Sequence, residues 1–342
     1  MSAVSTDSAT HQVAVEDEIP RGSSLGRYLA GKALGALTSL VMVVLMGFFA
    51  FRILPGDPTI SMTRGRAVSP DEVARLREQF GLDKPWYVQF GRYVSDLFHG
   101  NLGTSYAFNE PVTKLIAQHL WPTILLTGTA ALISIALGLW LGQRAAWRRD
   151  STFDRSTTSL ALLWWSVPTF WLGLLLLMLL GGPLPTGGMV TPGETYTGFK
   201  HVLDVARHLV LPVVTLAAVT YAQYLLTMRS SMLEEMNADY LTTARAKGLN
   251  EDGVRTKHAL PNALLPTVTL IFMTLGGLIS GAVTVETVFS WPGLGYLTFQ
   301  ALGLPDLPLL QGTFVVFSSI VVVMNFLADL VHRLLDPRLK AA

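Results

Sequence analysis

WPTILLTGTAALISIALGLWL, residues Trp121 to Leu141, contains no ionisable side chain. At 1.5 Å per helical residue it spans roughly 30 Å, the hydrocarbon thickness of a bilayer. Comparable charge-free stretches run over Ala33–Phe51, Ser159–Leu180, Leu209–Met228, Ala263–Val285 and Leu309–Leu327. Half of the 342 residues are hydrophobic, 14% are charged, and the mean hydropathy is +0.43, which excludes an ordinary soluble chain. These stretches predict an all-α membrane protein with six transmembrane helices.

Lysine and arginine set the expected orientation. Arg21, Arg27 and Lys32 precede the first span; Arg144, Arg148, Arg149 and Arg155 follow the second. Arg229, Arg245, Lys247, Arg255 and Lys257 follow the fourth, and Arg333, Arg338 and Lys340 follow the sixth. The loop from Val285 to Pro308 has none. Both termini are therefore expected in the cytoplasm. The expected division is a disordered cytosolic tail over 1–24, a first transmembrane helix over 25–54, and an extracytoplasmic helical loop over 55–119. A core of five transmembrane helices follows over 120–334, containing a cytosolic hairpin at 229–262, and a cytosolic tail covers 335–342. Ala50-Phe51-Arg52 offers no small-residue cleavage site, so the first span is expected to stay as an anchor.

The outer loop reads as structured. Ser69, Pro70 and Glu72 form a capping box for a helix closed by Gly81, and Tyr87, Phe90, Val94 and Leu97 share the face of a second. These faces suit either a platform for an outside partner or a cap packed on the helix ends.

No catalytic or metal-binding group stands out. The chain has no cysteine, its seven histidines make no i,i+4 pair, and no nucleophile elbow is present. Gly26 to Lys32 nearly spells a phosphate loop, but Ala33 replaces the required hydroxyl residue and no strand precedes it. The net charge of +1 is distributed by topology rather than gathered into a nucleic-acid patch. The six stretches lack Asp, Glu, Lys, Arg and His, so no ionisable relay for coupling a gradient is visible at membrane depth. Thr127, Ser166, Thr169, Tyr221, Gln223 and Thr274 could line a neutral pathway or bond helix to helix. Gly138 with Gly142, and Gly277 with Gly281, offer faces for close helix contact, while Pro168 is placed to kink the third span.

Residues 239–261 form a polar hairpin. Asp239 is placed to cap a short helix, Arg245 and Lys247 suit its last turn, and Gly248 ends it. Asn250 is placed to cap a second short helix running to Pro261. Helices of this length are marginal alone, so a docking partner is expected.

The hairpin resembles the EAA motif of bacterial ABC-importer permeases: Gly248, Leu260 and Pro261 match at the right spacing, whereas Thr242-Thr243-Ala244 replaces Glu-Ala-Ala and His258 replaces Ile. Closer still is the similarity to the dipeptide/oligopeptide/nickel permeases. It rests on Leu54-Pro55-Gly56-Asp57-Pro58, Gly81-Leu82-Asp83-Lys84-Pro85, Thr243-Ala244-Arg245-Ala246-Lys247-Gly248, Pro292-Gly293-Leu294-Gly295 and Leu335-Asp336-Pro337-Arg338. The resemblance implies a type I ABC-importer permease architecture and a role in moving peptides or a related small solute. It also implies a second homologous permease subunit, two ATPase subunits or domains, and an extracytoplasmic substrate-binding protein as partners. ATP and Mg would be bound on the ATPase subunits, with no cofactor on this chain.

Under that resemblance the hairpin is the coupling helix. Tyr240, Leu241 and Ala244 would pack in an ATPase groove, Thr242, Arg245 and Lys247 would add polar contacts, and Gly248, Leu260 and Pro261 would shape the turn. Glu286, Phe289, Trp291, Pro292 and Gly293 would belong to the outer mouth, as gate or binding-protein contact, the alternative for the aromatics being interfacial anchoring. Two other classes remain open: a secondary carrier driven by an ion gradient, and a nonenzymatic membrane scaffold or receptor.

Overall fold

The computed structural model describes residues 25–53, 69–71, 74, 83–304 and 306–335. The N-terminal tail, the helix expected between Ser69 and Gly81, and the segments beginning at Leu54 and after Leu335 fall wholly or mostly outside them. The described helices are α1 (Leu25–Ile53), α2 (Trp86–Phe98), α3 (Val112–Trp147), α4 (Thr152–Ser166), α5 (Thr169–Leu180) and α6 (Phe199–Glu235). After them come α7 (Asp239–Ala246), α8 (Glu251–Val254), a π-helical turn (Arg255–Ala259), α9 (Leu260–Val288), α10 (Leu294–Gly303) and α11 (Leu307–Leu335).

Among the described residues five helices are long and apolar enough to cross a membrane, and α4 with α5 makes a sixth crossing only as a broken pair bent by 100°. The kink expected at Pro168 is thus a complete break. Proline disfavours helical backbone in the residue before it, and Val167 is extended at φ −82°, ψ 128°. Neither piece spans alone, since the 12 residues of α5 cover only about 18 Å.

The long helices α3 and α6 run parallel and form the spine: Ser134 meets Thr220, and further along Gly142 meets Leu225 and Met228. A Cβ built on Gly138 would lie 2.5 Å from Tyr224 Cβ, and one on Gly142 would lie 2.6 Å from the Leu225 carbonyl oxygen. The glycine face identified in the sequence therefore seats α3 directly on the α6 backbone. In the other pair Gly277 faces open space, and its neighbour Gly276 approaches Val321 and Met324 of α11.

Packing around the spine divides along its length. Midway, Leu126 and Ala130 of α3, Leu211 and Leu216 of α6, and Val285 of α9 join Phe289 and Trp291 in one core. Toward one end, Val112 and Ile116 pack on Leu294 and Leu297 of α10 and Leu309 of α11. Toward the other, Ala146, Met228 and Met232 pack on the hairpin. Lys32 of α1 bonds Asp329 of α11 at 2.8 Å, bringing the start of α1 and the end of α11 to the same face.

The α2 helix packs on α1 through aromatic pairs, Phe48 with Phe90 and Tyr93 at centroid separations of 5.2 and 5.7 Å. Its half-buried side is Phe90, Tyr93, Val94 and Leu97, while Tyr87 stays exposed. One face is therefore a cap on α1, with Trp86 and Phe98 left uncovered.

Candidate functional site

The hairpin is held by its own chain. Ala238 occupies the cap position of α7 and Asp239 is the first helical residue, where its charge still complements the helix dipole. Leu241 and Ala244 are turned inward, buried against Met228, Met232, Ala146, Val254 and Ala263. This corrects the expectation that they enter a partner's groove: an apolar i, i+3 pair buries its face against whichever surface is near, and here the ends of α3, α6 and α9 provide it. Thr242, Thr243, Arg245, Ala246 and Lys247 project outward.

Gly248 leaves α7 at φ +82°, a left-handed conformation that favours glycine, and nothing lies within 4 Å of where its Cβ would be. The Asn250 side chain accepts from Gly253 N at 2.8 Å, as capping predicts. The helix it starts does not stop at Pro261, however. It passes through the π turn, where the Leu260 N–H bonds the Arg255 carbonyl oxygen, and continues into α9. Proline lacks an N–H and crowds the carbonyl four residues back, so a widened turn lets Pro261 sit in the first turn of a continuing helix.

Polar bonds fix the hairpin's edges. Tyr240 donates to Glu235 and accepts from Asn262 at 3.0 Å. Partial burial, then the Glu235 carboxylate, raise the Tyr240 phenol above its ordinary pKa, so it remains a neutral donor. Arg245 pairs with Glu251 at 2.8 Å across the turn. Below the hairpin, Arg229 of α6 grips Asp154 of α4 through two bonds of 2.6 and 2.8 Å. The Asp154 side chain is 3% exposed, so Arg229→Ala strands a buried carboxylate and should cost about 3 kcal/mol. A clear fall in thermal midpoint checks this, with Arg229→Lys only partly restoring it because lysine cannot reproduce the two-pronged contact.

At the opposite end, Glu286 is fully buried. Its carboxylate accepts from Thr123 Oγ1 at 2.7 Å and Tyr296 N at 2.9 Å, and so holds the first turn of α10. Thr123 in turn accepts from Leu294 N at 2.7 Å. The Trp291 indole donates to the Pro122 carbonyl oxygen at 2.9 Å. A Cβ on Gly293 would fall 2.3 Å from Glu286 Cδ, and one on Gly295 would fall 2.6 Å from Val283 Cα. The Pro292-Gly293-Leu294-Gly295 pattern therefore closes the chain over a buried carboxylate. Phe289 and Trp291 are core residues, neither surface wedges nor interfacial anchors, which corrects both readings of them.

The six pathway candidates separate. Thr127 and Tyr221 are buried, and Thr127 bonds the Thr123 carbonyl oxygen at 2.8 Å. Thr274 bonds the Tyr224 hydroxyl at 2.6 Å, a helix-to-helix contact. Ser166 and Thr169 flank the break between α4 and α5 and, with Gln223, retain accessible surface. The Ser134–Thr220 bond of 2.7 Å between α3 and α6 joins hydroxyls that sequence periodicity could not pair. Among the described residues no cluster of His, Asp and Glu could hold a metal.

A helical bundle with one broken crossing, a pinned polar hairpin at one end and a carboxylate-closed turn at the other matches known proteins over residues 25–341. Residues 104–341 match the family described as binding-protein-dependent transport system inner membrane component, and residues 25–127 match the corresponding N-terminal family. A putative peptide permease protein of Brucella suis biovar 1 (strain 1330) is 40% identical over 319 residues, covering 92% of this chain and 99% of the relative. The dipeptide transport system permease protein DppB of Escherichia coli (strain K12) is 35% identical over 324 residues, covering 89% of this chain and 96% of the relative. The fold also matches an inward-facing MetNI methionine ABC transporter chain with a TM-score of 0.52 at 18% identity, covering 65% of this chain and 96% of that one.

The protein is thus a multi-pass inner-membrane permease subunit of an ABC importer. It belongs to the binding-protein-dependent transport system inner membrane component family, in its dipeptide/oligopeptide branch. That membership implies an ATPase and a substrate-binding protein as partners.

Proposed function

We propose that this chain forms half of the translocation path of a peptide importer, paired with a second homologous permease, with its termini and hairpin in the cytoplasm. Two ATPase subunits bind and hydrolyse ATP with Mg, and the chain itself performs no phosphate chemistry. Peptide as the cargo is supported by the names of its relatives, a peptide permease and a dipeptide permease. Ser166, Thr169 and Gln223 are the pathway residues that fit a neutral lining.

The observation that carries the coupling reading is the two-sided construction of α7. Its inner face is fixed to three spans through Leu241 and Ala244, while Thr242, Thr243, Arg245 and Lys247 face away. A partner gripping the outer face therefore moves the ends of α3, α6 and α9 together, a rigid-body switch driven by differential binding.

Gly248→Val tests this. The open space admits the side chain, but positive φ costs roughly 1–2 kcal/mol in a residue with a β-carbon, so the turn should change shape without loss of the bundle. The expected result in the reconstituted complex is retained ATPase subunits with substrate-stimulated ATP hydrolysis and uptake reduced on the order of tenfold, a barrier change of about 1.4 kcal/mol. Unchanged uptake would sink the assignment. Uptake under an ion gradient without ATPase subunits would identify a secondary carrier instead.

A further inference from the structure

Beside the hairpin lies a cleft of about 250 Å³ lined by Arg144, Trp147, Arg148, Asp252 and Arg255. It joins the end of α3 to α8 and the π turn. We propose that this cleft binds the phosphate headgroup of an anionic membrane phospholipid. Three guanidinium groups face one carboxylate, which leaves an excess of positive charge. Arg144 and Arg148 form no ion pair with the described residues; Arg144 lies over the Trp140 ring at 4.4 Å and Arg148 over Phe153 at 5.8 Å. A guanidinium stacked on an aromatic face keeps its N–H edge free for phosphate oxygens.

The Arg255 Nε is buried without a hydrogen-bond partner. A buried donor left unpaired is costly, and a small turn of the guanidinium toward a phosphate oxygen in the cleft would satisfy it. Asp252 opposes an anion, but its carboxylate is 73% exposed and bonds Arg255 from the rim, so solvent screens it.

Depth favours a lipid over a soluble anion or an acidic protein surface. The apolar run of α3 ends at Leu141, and Arg144 stands three residues on, about 5 Å past the hydrocarbon edge. Trp140 is 45% exposed beneath Arg144, as expected for an indole at the headgroup level. Basic clefts between spans at this level suit anionic headgroups. A lipid seated there would tie α3 to the start of α8 and brace the hairpin. The binding claim stands alone; its consequence for transport rests on the hairpin's coupling role.

Native mass spectrometry of the full importer complex, titrated with phosphatidylglycerol or phosphatidylcholine, tests the binding. The wild type should retain phosphatidylglycerol selectively. The R144Q/R148Q double variant alters two exposed side chains outside the core and should bind it about 25-fold more weakly, at about fivefold per arginine. R144K/R148K should recover most of the affinity, and Gly248→Val should leave retention unchanged even where transport fails, which separates this claim from the coupling reading. Equal retention of the two lipids, or retention indifferent to R144Q/R148Q, overturns the proposal. Displacement of the lipid by inorganic phosphate at matching affinity would assign the cleft to a soluble anion and also overturn it. So would loss of the ATPase subunits from R144Q/R148Q with lipid retention intact, which would make the cleft a protein contact.

Discussion

Gly142→Leu should leave no folded protein in the membrane fraction. The first atom of any side chain at this position would meet the Leu225 carbonyl oxygen at 2.6 Å and Met228 Cβ at 2.9 Å. Both belong to the spine of α6, so no rotamer change relieves the overlap and the two helices must separate. In a bilayer, lipid tails are as apolar as the helix faces, and close van der Waals packing between small residues is what associates them. Separation forfeits that packing along the whole spine, because dispersion falls steeply over an ångström. Gly142→Ala should already cost several kcal/mol, at or above the usual 1–3 kcal/mol of overpacking. Gly128→Ala is the control, since nothing lies within 4 Å of its added carbon. Fluorescence-detected size exclusion with a thermal ramp reads both. A Gly142→Leu protein melting with the wild type would refute the packing account.

Glu286→Ala is the second large effect. It removes the acceptor for the Thr123 hydroxyl and for the first turn of α10, leaving buried donors unpaired beside an empty space. Each buried donor left without its acceptor costs about 1–3 kcal/mol, so the two together make a loss of about 3 kcal/mol. In a chain of 342 residues that lowers the thermal midpoint by about 4 °C. Glu286→Gln separates the bonds from the volume. Its amide keeps one acceptor oxygen but presents N–H to the other donor, and its loss should fall between the alanine variant and the wild type. If alanine and glutamine variants melted like the wild type, the carboxylate would not be what closes the turn.

The sequence made the spans legible because hydrocarbon leaves the backbone no partner but itself, forcing helices wherever charge-free stretches reach bilayer length. Gly138 and Gly142 were legible for a similar reason: only glycine allows two backbones so close. What escaped was burial decided at long range. Trp291 bonds a carbonyl 169 positions earlier in the chain, and no local pattern distinguishes a tryptophan in a core from one at an interface. Leu241 and Ala244 have the spacing of any amphipathic face, so periodicity showed that they pack but not against what. Pro168 announced a disturbance whose size depended on neighbours packing against each half-helix. Glu286 lies one residue beyond the charge-free stretch ending at Val285, and its burial became evident only with Thr123 and Tyr296 around it.

The π turn gives the hairpin a mechanical property. From Glu251 to Val288 the chain is one helical shaft, roughly 55 Å long at 1.5 Å per residue. Its far end is bolted to α3 and α10 at Glu286, and its near end carries the hairpin. At the widened turn of Arg255–Ala259 the regular i to i−4 ladder gives way to a wider one, and Pro266 removes one further donor along the shaft. The turn can act as a torsional coupling that takes up rotation while still transmitting thrust. Motion delivered to the hairpin would then arrive at the outer closure as displacement along the shaft, with any twist absorbed at its root.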